Sequence, residues 1–588
     1  MKTSSYLLSL ALCAGNAVQA ANWTVGQVVQ TSSGQVTGHA AFPNVGVSEY
    51  LGIPFAVPPV DDLRWTAPVK YNGTSDINGT TFGFSCPAAP QVTPSLEKLA
   101  ATNVTSSGLQ ILEQLGQIGD KFSEDCLTLN VWTKPQVGEA KKAVLVWIYG
   151  GAFTTGSSDN LGYNGQNIAE QEDVVLVSFN YRLGVLGFPG SPNGTQNLGL
   201  LDQRLAVEWV RDNVASFGGD PSRITLFGQS AGSASVDYYS YAWVEDPIVH
   251  SFIEESGSTF GPAGGLGAIT SAAAETYWQN LTTTLGCGNS SSDEASALAC
   301  LKAKSYTDVL QAAAASATNS GSGLSTSFGP TVDDVVVFAN YTQRSLAGNF
   351  AKLPLLLGTA DYEAGLFKVL SAFENITMSD AYWFLFDDVA FTCPCATRAN
   401  VSISNDVPTW RYRWFGSFPN TEITTIPYSG AWHASELPAL FGTFPSGSGV
   451  PNSTAEELEI ASYIRGAWAT FAKNPTDGLS TYQGGWPTYS PADVTLARIG
   501  YNNMTGANLA RGNEYDGACS QIVSGNVVSG SSGNSSSPSD TSSTSTAPTA
   551  SNLAPVGTVT TSSAELSRIQ PLVTLALFAI AAMVLASS

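Results

Sequence analysis

Three short runs of almost uninterrupted apolar and β-branched residues constrain the fold of this chain most: residues 143–148, 174–179 and 224–227. Such runs are typical of strands that are buried on both faces of a parallel sheet. Between the second and third runs, apolar residues recur at helical spacing over 203–216, and Gly218 and Gly219 then end the segment. This alternation predicts an α/β fold with a central, mostly parallel sheet flanked by helices.

The length and the net charge of the chain limit the classes of function that it can have. The chain has 588 residues, of which 43% are hydrophobic, which suits one large elaborated domain or two domains. It carries 47 Asp and Glu against 25 Lys and Arg, giving a net charge of −22. Surfaces that bind nucleic acid need the opposite sign, so the charge argues against a nucleic-acid partner.

Both ends of the chain resemble targeting signals. Residues 1–20 contain a lysine, an apolar run and small residues at a cleavage site, which predicts a secretory signal peptide. Residues 564–588 contain an apolar tail that is short for a membrane span, which favours a glycosylphosphatidylinositol (GPI) signal over a C-terminal membrane helix. The Ser/Thr-rich segment 524–563 is predicted to be a disordered stalk. The globular domain is then expected to cover 21–523. The protein is expected to be secreted and anchored to the plasma membrane or cell wall.

Sequons and cysteines agree with export. Thirteen Asn-x-Ser/Thr sequons run from Asn22 to Asn534, and such sites are glycosylated only in secreted chains. The candidates before the stalk are Asn22, Asn72, Asn78, Asn103, Asn193, Asn280, Asn289, Asn340, Asn375, Asn400, Asn452 and Asn503. Without the signal peptide, seven cysteines remain at spacings that fit no zinc site. Disulfides are therefore expected, with one thiol left over near Cys393 and Cys395.

A Gly-x-Ser-x-Gly motif at 228–232 directly follows the third apolar run and precedes a plausible helix. Glycines on both flanks permit a tight strand-to-helix turn that presents the hydroxyl of Ser230 above the sheet edge. The alternative is a serine in a structural turn. The position of the motif between a strand and a helix favours a nucleophile.

A nucleophilic serine needs a base and an acid that orients it. Of the three histidines, His39, His250 and His433, the last fits the order nucleophile, acid, histidine of α/β-hydrolases. The acid then lies after a strand between Ser230 and His433. The short run 355–357 predicts that strand, and we expect Glu363 to be the acid, with Asp361 as the close rival.

Two further points concern the chemistry around this serine. Residues 147–153 follow the first strand and contain a loop of small residues whose backbone N–H groups could stabilise an oxyanion. Gly151, Ala152 and Ala231 are the expected donors, although the two glycines could simply mark a strand exit. A metal site at His433 and Glu436 lacks a third ligand type nearby, so no metal or other cofactor is expected.

These motifs resemble those of the type B carboxylesterases, the family of cholinesterases and fungal lipases. Residues 217–232 resemble the active-serine signature, 124–132 the second signature and 52–65 the N-terminal block, so the similarity covers nearly all of 25–523. The resemblance implies one α/β-hydrolase domain with large insertions and hydrolysis of small-molecule carboxylic esters by Ser230, Glu363 and His433. It also implies the disulfides Cys86–Cys126 and Cys287–Cys300, and by weaker analogy a disulfide of Cys393 or Cys395 with Cys519.

The sequence also departs from the family. Gln229 stands where cholinesterases have a glutamate, and 87–125 contain no tryptophan to hold choline, which argues against choline esters. Ala152 replaces the third glycine of the oxyanion loop in many members, and Tyr362 replaces the usual Asp or Asn before the acid.

Alternatives to a simple esterase remain. Apolar residues at helical spacing within 87–125 could form the mobile lid of a triacylglycerol lipase or a fixed wall of the active-site gorge. We favour the wall, because a sugar on Asn103 would hinder docking on lipid. Family members of the neuroligin type suggest a catalytically silent adhesion protein, against which the intact Ser230 and His433 argue. An amidase or peptidase would use the same triad.

Overall fold

The computed structural model describes residues 23–88, 99, 102–136, 141–261, 266–289, 292–318, 328–373 and 375–520. The predicted signal peptide, stalk and C-terminal anchor signal lie outside the described residues, as do Asn22 and Asn534.

A large sheet forms the centre of the described part of the chain. Fourteen strands are present there: β1 (Val29–Thr31), β2 (Gly34–Thr37), β3 (His39–Ala40), β4 (Ser48–Pro54), β5 (Ile77–Asn78), β6 (Thr128–Thr133), β7 (Lys142–Ile148), β8 (Val175–Phe179), β9 (Gly219–Gln229), β10 (Ser251–Glu255), β11 (Leu355–Ala360), β12 (Thr409–Trp414), β13 (Val494–Ile499) and β14 (Ala510–Arg511). Eleven of them form one sheet in the order β14-β13-β12-β11-β10-β9-β7-β8-β6-β4-β3, and β1, β2 and β5 form a second, small sheet.

The middle of the large sheet is parallel. Strands β8, β7, β9, β10, β11, β12 and β13 pair in parallel, and antiparallel pairs occur only toward the two edges. Every residue of β7 and β8 is buried, as expected for apolar runs covered on both faces. The predicted mostly parallel α/β sheet is therefore confirmed.

Helices flank this sheet. They are α1 (Ser106–Leu115), α2 (Gln166–Glu172), α3 (Gly184–Gly187), α4 (Leu198–Asn213), α5 (Ala231–Ala242), α6 (Ser271–Thr284), α7 (Glu294–Lys302), α8 (Tyr306–Thr318), α9 (Tyr341–Leu346), α10 (Ala364–Phe373), α11 (Asp380–Asp387), α12 (Cys393–Ile403), α13 (Leu437–Phe441), α14 (Ala455–Lys473) and α15 (Gly478–Thr481). The helical pattern over 203–216 corresponds to α4 and the 3₁₀ turn Val214–Phe217. Helix α4 begins at Leu198, before the pattern, and directly follows Asn197, which has a left-handed conformation.

An insertion between β10 and β11 carries helices α6 to α9 and a separate apolar cluster. Trp278 of α6 packs edge to face on Trp65 of the N-terminal block, with 5.2 Å between ring centroids. Leu281 and Leu301 are fully buried in the same cluster. The insertion therefore has its own small core against the main domain.

Three disulfides join the described cysteines: Cys86–Cys126, Cys287–Cys300 and Cys393–Cys519. Cys395 is a buried free thiol, so Cys393 is the partner of Cys519. Burial raises the pKa of the Cys395 thiol to about 11, which keeps the reactive thiolate scarce.

The surface of the described residues bears on the predicted glycans and anchor. Of the sequon asparagines described, Asn280 is half-buried and the others are exposed. No helix among the described residues is both long enough and apolar enough to cross a membrane.

Candidate active site

Ser230 lies in a sharp turn between β9 and α5. Its backbone has φ 59° and ψ −122°, a conformation that a residue with a side chain rarely adopts. A Cβ on Gly232 would lie 2.0 Å from the carbonyl oxygen of Ile148, and one on Gly228 would lie 2.6 Å from the carbonyl carbon of Gly232. The two glycines of the motif are therefore required by close backbone contacts on both sides of the serine.

His433 and Glu363 meet although they come from different loops. Glu363 follows β11, and His433 lies in the loop after β12. His433 Nδ1 and Glu363 Oε2 are 2.6 Å apart, and both side chains are buried. The backbone N–H of Ala360 donates to the other oxygen, Glu363 Oε1, at 2.7 Å. This contact and the histidine together fix the orientation of the carboxylate.

The rival acid, Asp361, lies elsewhere. Its carboxylate accepts a hydrogen bond from Arg413 Nε at 2.8 Å, and its side chain is 37% exposed. Of the two acids considered from the sequence, the structure brings only Glu363 to His433. The other two histidines are also outside this group: His39 pairs with Glu49 on β4, and His250 immediately precedes β10.

Two phenylalanines pack against the His433 ring. The centroid of Phe391 is 4.7 Å from the imidazole centroid and that of Phe367 is 5.3 Å away. Phe391 belongs to a π-helical turn, Asp388–Thr392, between α11 and α12. Such turns are frequent at functional sites. Neither ring could be assigned to the site from the sequence, because the spacing of both residues is that of ordinary core residues.

The second ring nitrogen of His433 contacts Gln229. The distance from Gln229 Nε2 to His433 Nε2 is 3.2 Å, and both residues are buried. Among the described residues, no hydrogen bond joins Ser230 Oγ to His433 in this structure. Gln229, which directly precedes Ser230, is therefore part of the same site as His433.

The loop after β7 approaches Ser230. A Cβ on Gly150 would lie 2.8 Å from Ser230 Cβ, so the loop backbone is close to the serine. Gly151 and Ala152 both have positive φ, 113° and 53°. Within the described part of the chain, neither of their backbone N–H groups donates to a protein acceptor. The N–H of Ala231 lies in the first turn of α5, where helices leave such groups free.

Three more carboxyl groups are buried near Glu363. Burial raises the pKa of Glu255 to about 8, against a hydrogen bond of 2.7 Å from the Trp468 indole that lowers it. Burial, followed by the charges of Glu255 and Glu363, holds the pKa of Glu436 well above its ordinary value. Burial and then the charge of Glu363 do the same for Asp387, which accepts the N–H of Ala364 at 2.5 Å. No pattern in the sequence indicates that these carboxyl groups lie together.

A small apolar cavity of about 40 Å³ adjoins the loop of His433. Trp432 and Ala434, the two neighbours of the histidine, line it together with Tyr163. Helix α1 closes one side with Ile111 and Leu115. No group of three or more His, Cys, Asp or Glu side chains that could hold a metal ion occurs among the described residues.

Comparison with known proteins agrees with this architecture. The model of the carboxylesterase family matches residues 25–380 and 374–516. A chlorogenic acid esterase of Aspergillus niger is 36% identical over 461 residues, which are 77% of this chain and 84% of the relative. Secreted lipase 5 of Gibberella zeae is 33% identical, and the match covers 79% of this chain and 88% of the lipase. The cholinesterase of Mus musculus is 31% identical, and the match covers 79% of this chain and 82% of the cholinesterase.

A solved structure points the same way. A thermophilic PNB esterase superposes with a TM-score of 0.68 at 26% sequence identity, covering 85% of this chain and 100% of the esterase. The family resemblance of the sequence and the α/β-hydrolase fold are thereby confirmed. The activity that they imply is confirmed as that of a serine hydrolase of carboxylic esters. The chain belongs to the carboxylesterase family.

Proposed function

We propose that the protein is an extracellular carboxylesterase that acts through a triad of Ser230, Glu363 and His433 and an acyl-enzyme intermediate. The contact that carries this proposal is the 2.6 Å hydrogen bond between the buried His433 Nδ1 and Glu363 Oε2, beside the strained turn of Ser230. A carboxylate on Nδ1 fixes the tautomer in which Nε2 can take a proton and stabilises the imidazolium that results.

The chemistry proceeds in two halves. Ser230 Oγ attacks the ester carbonyl carbon while its proton passes to His433 Nε2. The oxyanion accepts hydrogen bonds from the backbone N–H groups of Gly151, Ala152 and Ala231. As the bond to the alcohol breaks, His433 returns the proton to the leaving oxygen. Water then attacks the acyl-enzyme by the same route, and the acid and Ser230 are released.

A test compares the full chain with its Ser230→Ala variant on p-nitrophenyl esters from acetate to palmitate. Chlorogenic acid joins the series because a relative is named for it. We expect turnover by the wild type, covalent labelling by a fluorophosphonate, and loss of both in Ser230→Ala. A folded wild type with neither turnover nor labelling would contradict the proposal and favour an adhesion protein. Turnover of amides faster than of esters would favour an amidase.

We further propose that residues 102–125, the main described part of the loop 87–125, form a fixed wall and not a lid. Residues 89–98, 100 and 101 of this loop lie outside the described residues. The side chain of Thr105 caps α1 and also donates to the carbonyl of Glu422 at 2.5 Å, and the N–H of Thr105 donates to the carbonyl of Ile423 at 3.0 Å. A Cβ on Gly108 would lie 2.0 Å from the oxygen of Ile423, so helix and segment are in close contact. These contacts tie the start of α1 to the chain that leads to His433.

The fixed wall predicts no interfacial activation. We expect the rate on tributyrin to saturate smoothly with concentration, with no rise where the ester separates into droplets. A sharp rise in rate at that concentration would favour the lipase alternative. The similarity to a secreted lipase and the apolar residues of α1 support that alternative. The variant Asn103→Gln removes the candidate glycan at this position. If a lid exists but the glycan blocks it, the variant should show interfacial activation; if no lid exists, it should not.

For location, we propose secretion with a signal peptide at 1–20, a catalytic domain at 21–523, a stalk at 524–563 and a GPI signal at 564–588. Three disulfides, exposed sequons and a secreted relative support export. Expression of the full chain with treatment of whole cells by phosphatidylinositol-specific phospholipase C tests the anchor. Release of esterase activity is expected, whereas activity that stays with the membrane would favour a C-terminal membrane helix.

A further inference from the structure

Gln229 contacts the ring nitrogen of His433 that must accept a proton. His433 Nδ1 is 2.6 Å from Glu363 Oε2, so Nδ1 carries the proton that it donates to this carboxylate. In the neutral imidazole, Nε2 is then an acceptor, and of the two ends of a carboxamide only the NH₂ group can donate to it. Gln229 Nε2 lies 3.2 Å away in that position. The amide therefore donates to the neutral form of His433.

The surroundings hold this amide in place. Gln229 ends β9, opposite Glu255 of the parallel strand β10, and is only 3% exposed. Gly150 leaves the space that the amide fills: a Cβ there would lie 3.1 Å from Gln229 Oε1 and 2.7 Å from the Gln229 backbone oxygen. The contact with His433 is thus built into the packing of the oxyanion loop against β9.

Charge makes the residue type at 229 important. Glu363 contacts His433 directly, Glu436 lies in the same loop, Glu255 ends β10 and Asp387 ends α11. The hydroxyls of Tyr163 and Tyr412 also interact with Glu436. Arg413, Asp388 and the hydroxyl of Tyr362 interact with Asp387. Burial raises the pKa values of Glu255, Glu436 and Asp387, so these groups tend toward the neutral form. A carboxylate at 229 would instead place a charge at Nε2 itself.

We propose, resting on the function proposed above, that Gln229 is a positioning residue that favours the neutral form of His433 in the free enzyme and thereby lowers the pH at which the acidic limb of kcat/KM falls. When Nε2 is protonated, two N–H groups face each other and the amide must turn or withdraw. This N–H···N hydrogen bond is therefore made only to the neutral form of the base, and it must give way when Nε2 accepts the proton of Ser230. A glutamate at this position would have the opposite preference.

The test is the pH profile of kcat/KM for a p-nitrophenyl ester, measured on the full chain as wild type, Gln229→Glu and Gln229→Met. A carboxylate in contact with an imidazole moves its titration upward by about 1 to 3 pH units. We expect the midpoint of the acidic limb of Gln229→Glu to shift upward by at least about one pH unit. Gln229→Met should shift the limb in the same direction by less, because it removes the donor without adding charge.

Controls separate this effect from damage to the fold. Gln343→Glu makes the same chemical change on the exposed surface of α9 and should leave the profile unchanged. Rates are normalised to the serines titrated by a fluorophosphonate, and melting temperatures are compared. An acidic limb that does not move in whichever of the two Gln229 variants folds would overturn the inference. Absence of turnover in the wild type itself would count against the proposed function instead.

Discussion

At the scale of single residues, the choice between two acids rests on what each carboxylate contacts. Glu363 is buried against His433, whereas Asp361 is engaged by Arg413 at a half-exposed position. Replacing the acid of such a triad by its amide leaves the geometry but disturbs the tautomer, which lowers kcat by about 10⁴-fold. We expect this loss for Glu363→Gln, measured on a p-nitrophenyl ester. Asp361→Asn is the matched control and should stay within a few fold; an equal loss there would move the acid to Asp361.

Glu255 yields a second prediction, on stability. Its folded-state pKa of about 8 exceeds the ordinary value of 4.5. Between these two pH values the folded chain keeps a proton that the unfolded chain has lost, so the free energy of unfolding falls as pH rises, by up to about 1.4 kcal/mol per pH unit. Above the folded-state pKa the penalty stays constant.

Glu255→Gln cannot ionise, and its amide oxygen can still accept from Trp468. We therefore expect the variant to unfold at similar urea concentration to the wild type near pH 4 and to gain on it steadily up to pH 8. Glu514→Gln, an exchange at an exposed position, is the control and should show no such trend. Parallel stability curves for Glu255→Gln and the wild type would contradict the assignment.

At the scale of elements, α14 offers a clean test of what begins a helix. Thr454 accepts from the N–H of Glu457 at 3.1 Å, and Glu457 Oε2 accepts from the N–H of Thr454 at 3.2 Å, which forms a capping box. The helix packs on β7 and on β9, the strand that ends next to Ser230. Thr454→Ala should lower the free energy of unfolding by about 1 kcal/mol, and Thr454→Ser should retain it.

Glycosylation needs its own control in this experiment. Thr454 is the third residue of the Asn452 sequon, so Thr454→Ala also removes a candidate glycan. Asn452→Gln removes the sequon and keeps the cap. A loss of stability in Asn452→Gln equal to that in Thr454→Ala would assign the effect to the sugar and not to the helix.

At the scale of the whole molecule, Cys393–Cys519 joins α12 to the end of the described domain across 126 residues. Disulfides that close long loops contribute typically about 2 to 5 kcal/mol, largely by restricting the unfolded chain. We expect this loss in the double variant Cys393→Ser, Cys519→Ser, measured by urea unfolding. Cys395→Ser is the control and should keep all three disulfides by mass spectrometry; loss of one would mean that Cys395 is paired.

The helices and strands, and the chemistry at their ends, follow from local sequence patterns. Uninterrupted apolar runs can only be buried on both faces, and the glycines beside Ser230 are required by a turn with almost no space around it. These are local demands that the side chains make on their own backbone. They were sufficient to predict the sheet and the tight strand-to-helix turn that holds Ser230.

Which distant residues contact each other depends on how the loops pack in three dimensions. His433 contacts Glu363 across 70 positions and Gln229 across 204, and Cys519 joins Cys393 while Cys395 stays free. The spacing of apolar residues describes the period of a single helix or strand. It carries no information on which residue of another loop will contact that element. The choice between Asp361 and Glu363, the rings of Phe367 and Phe391 on the histidine, and the buried acids behind it all depend on such long-range packing.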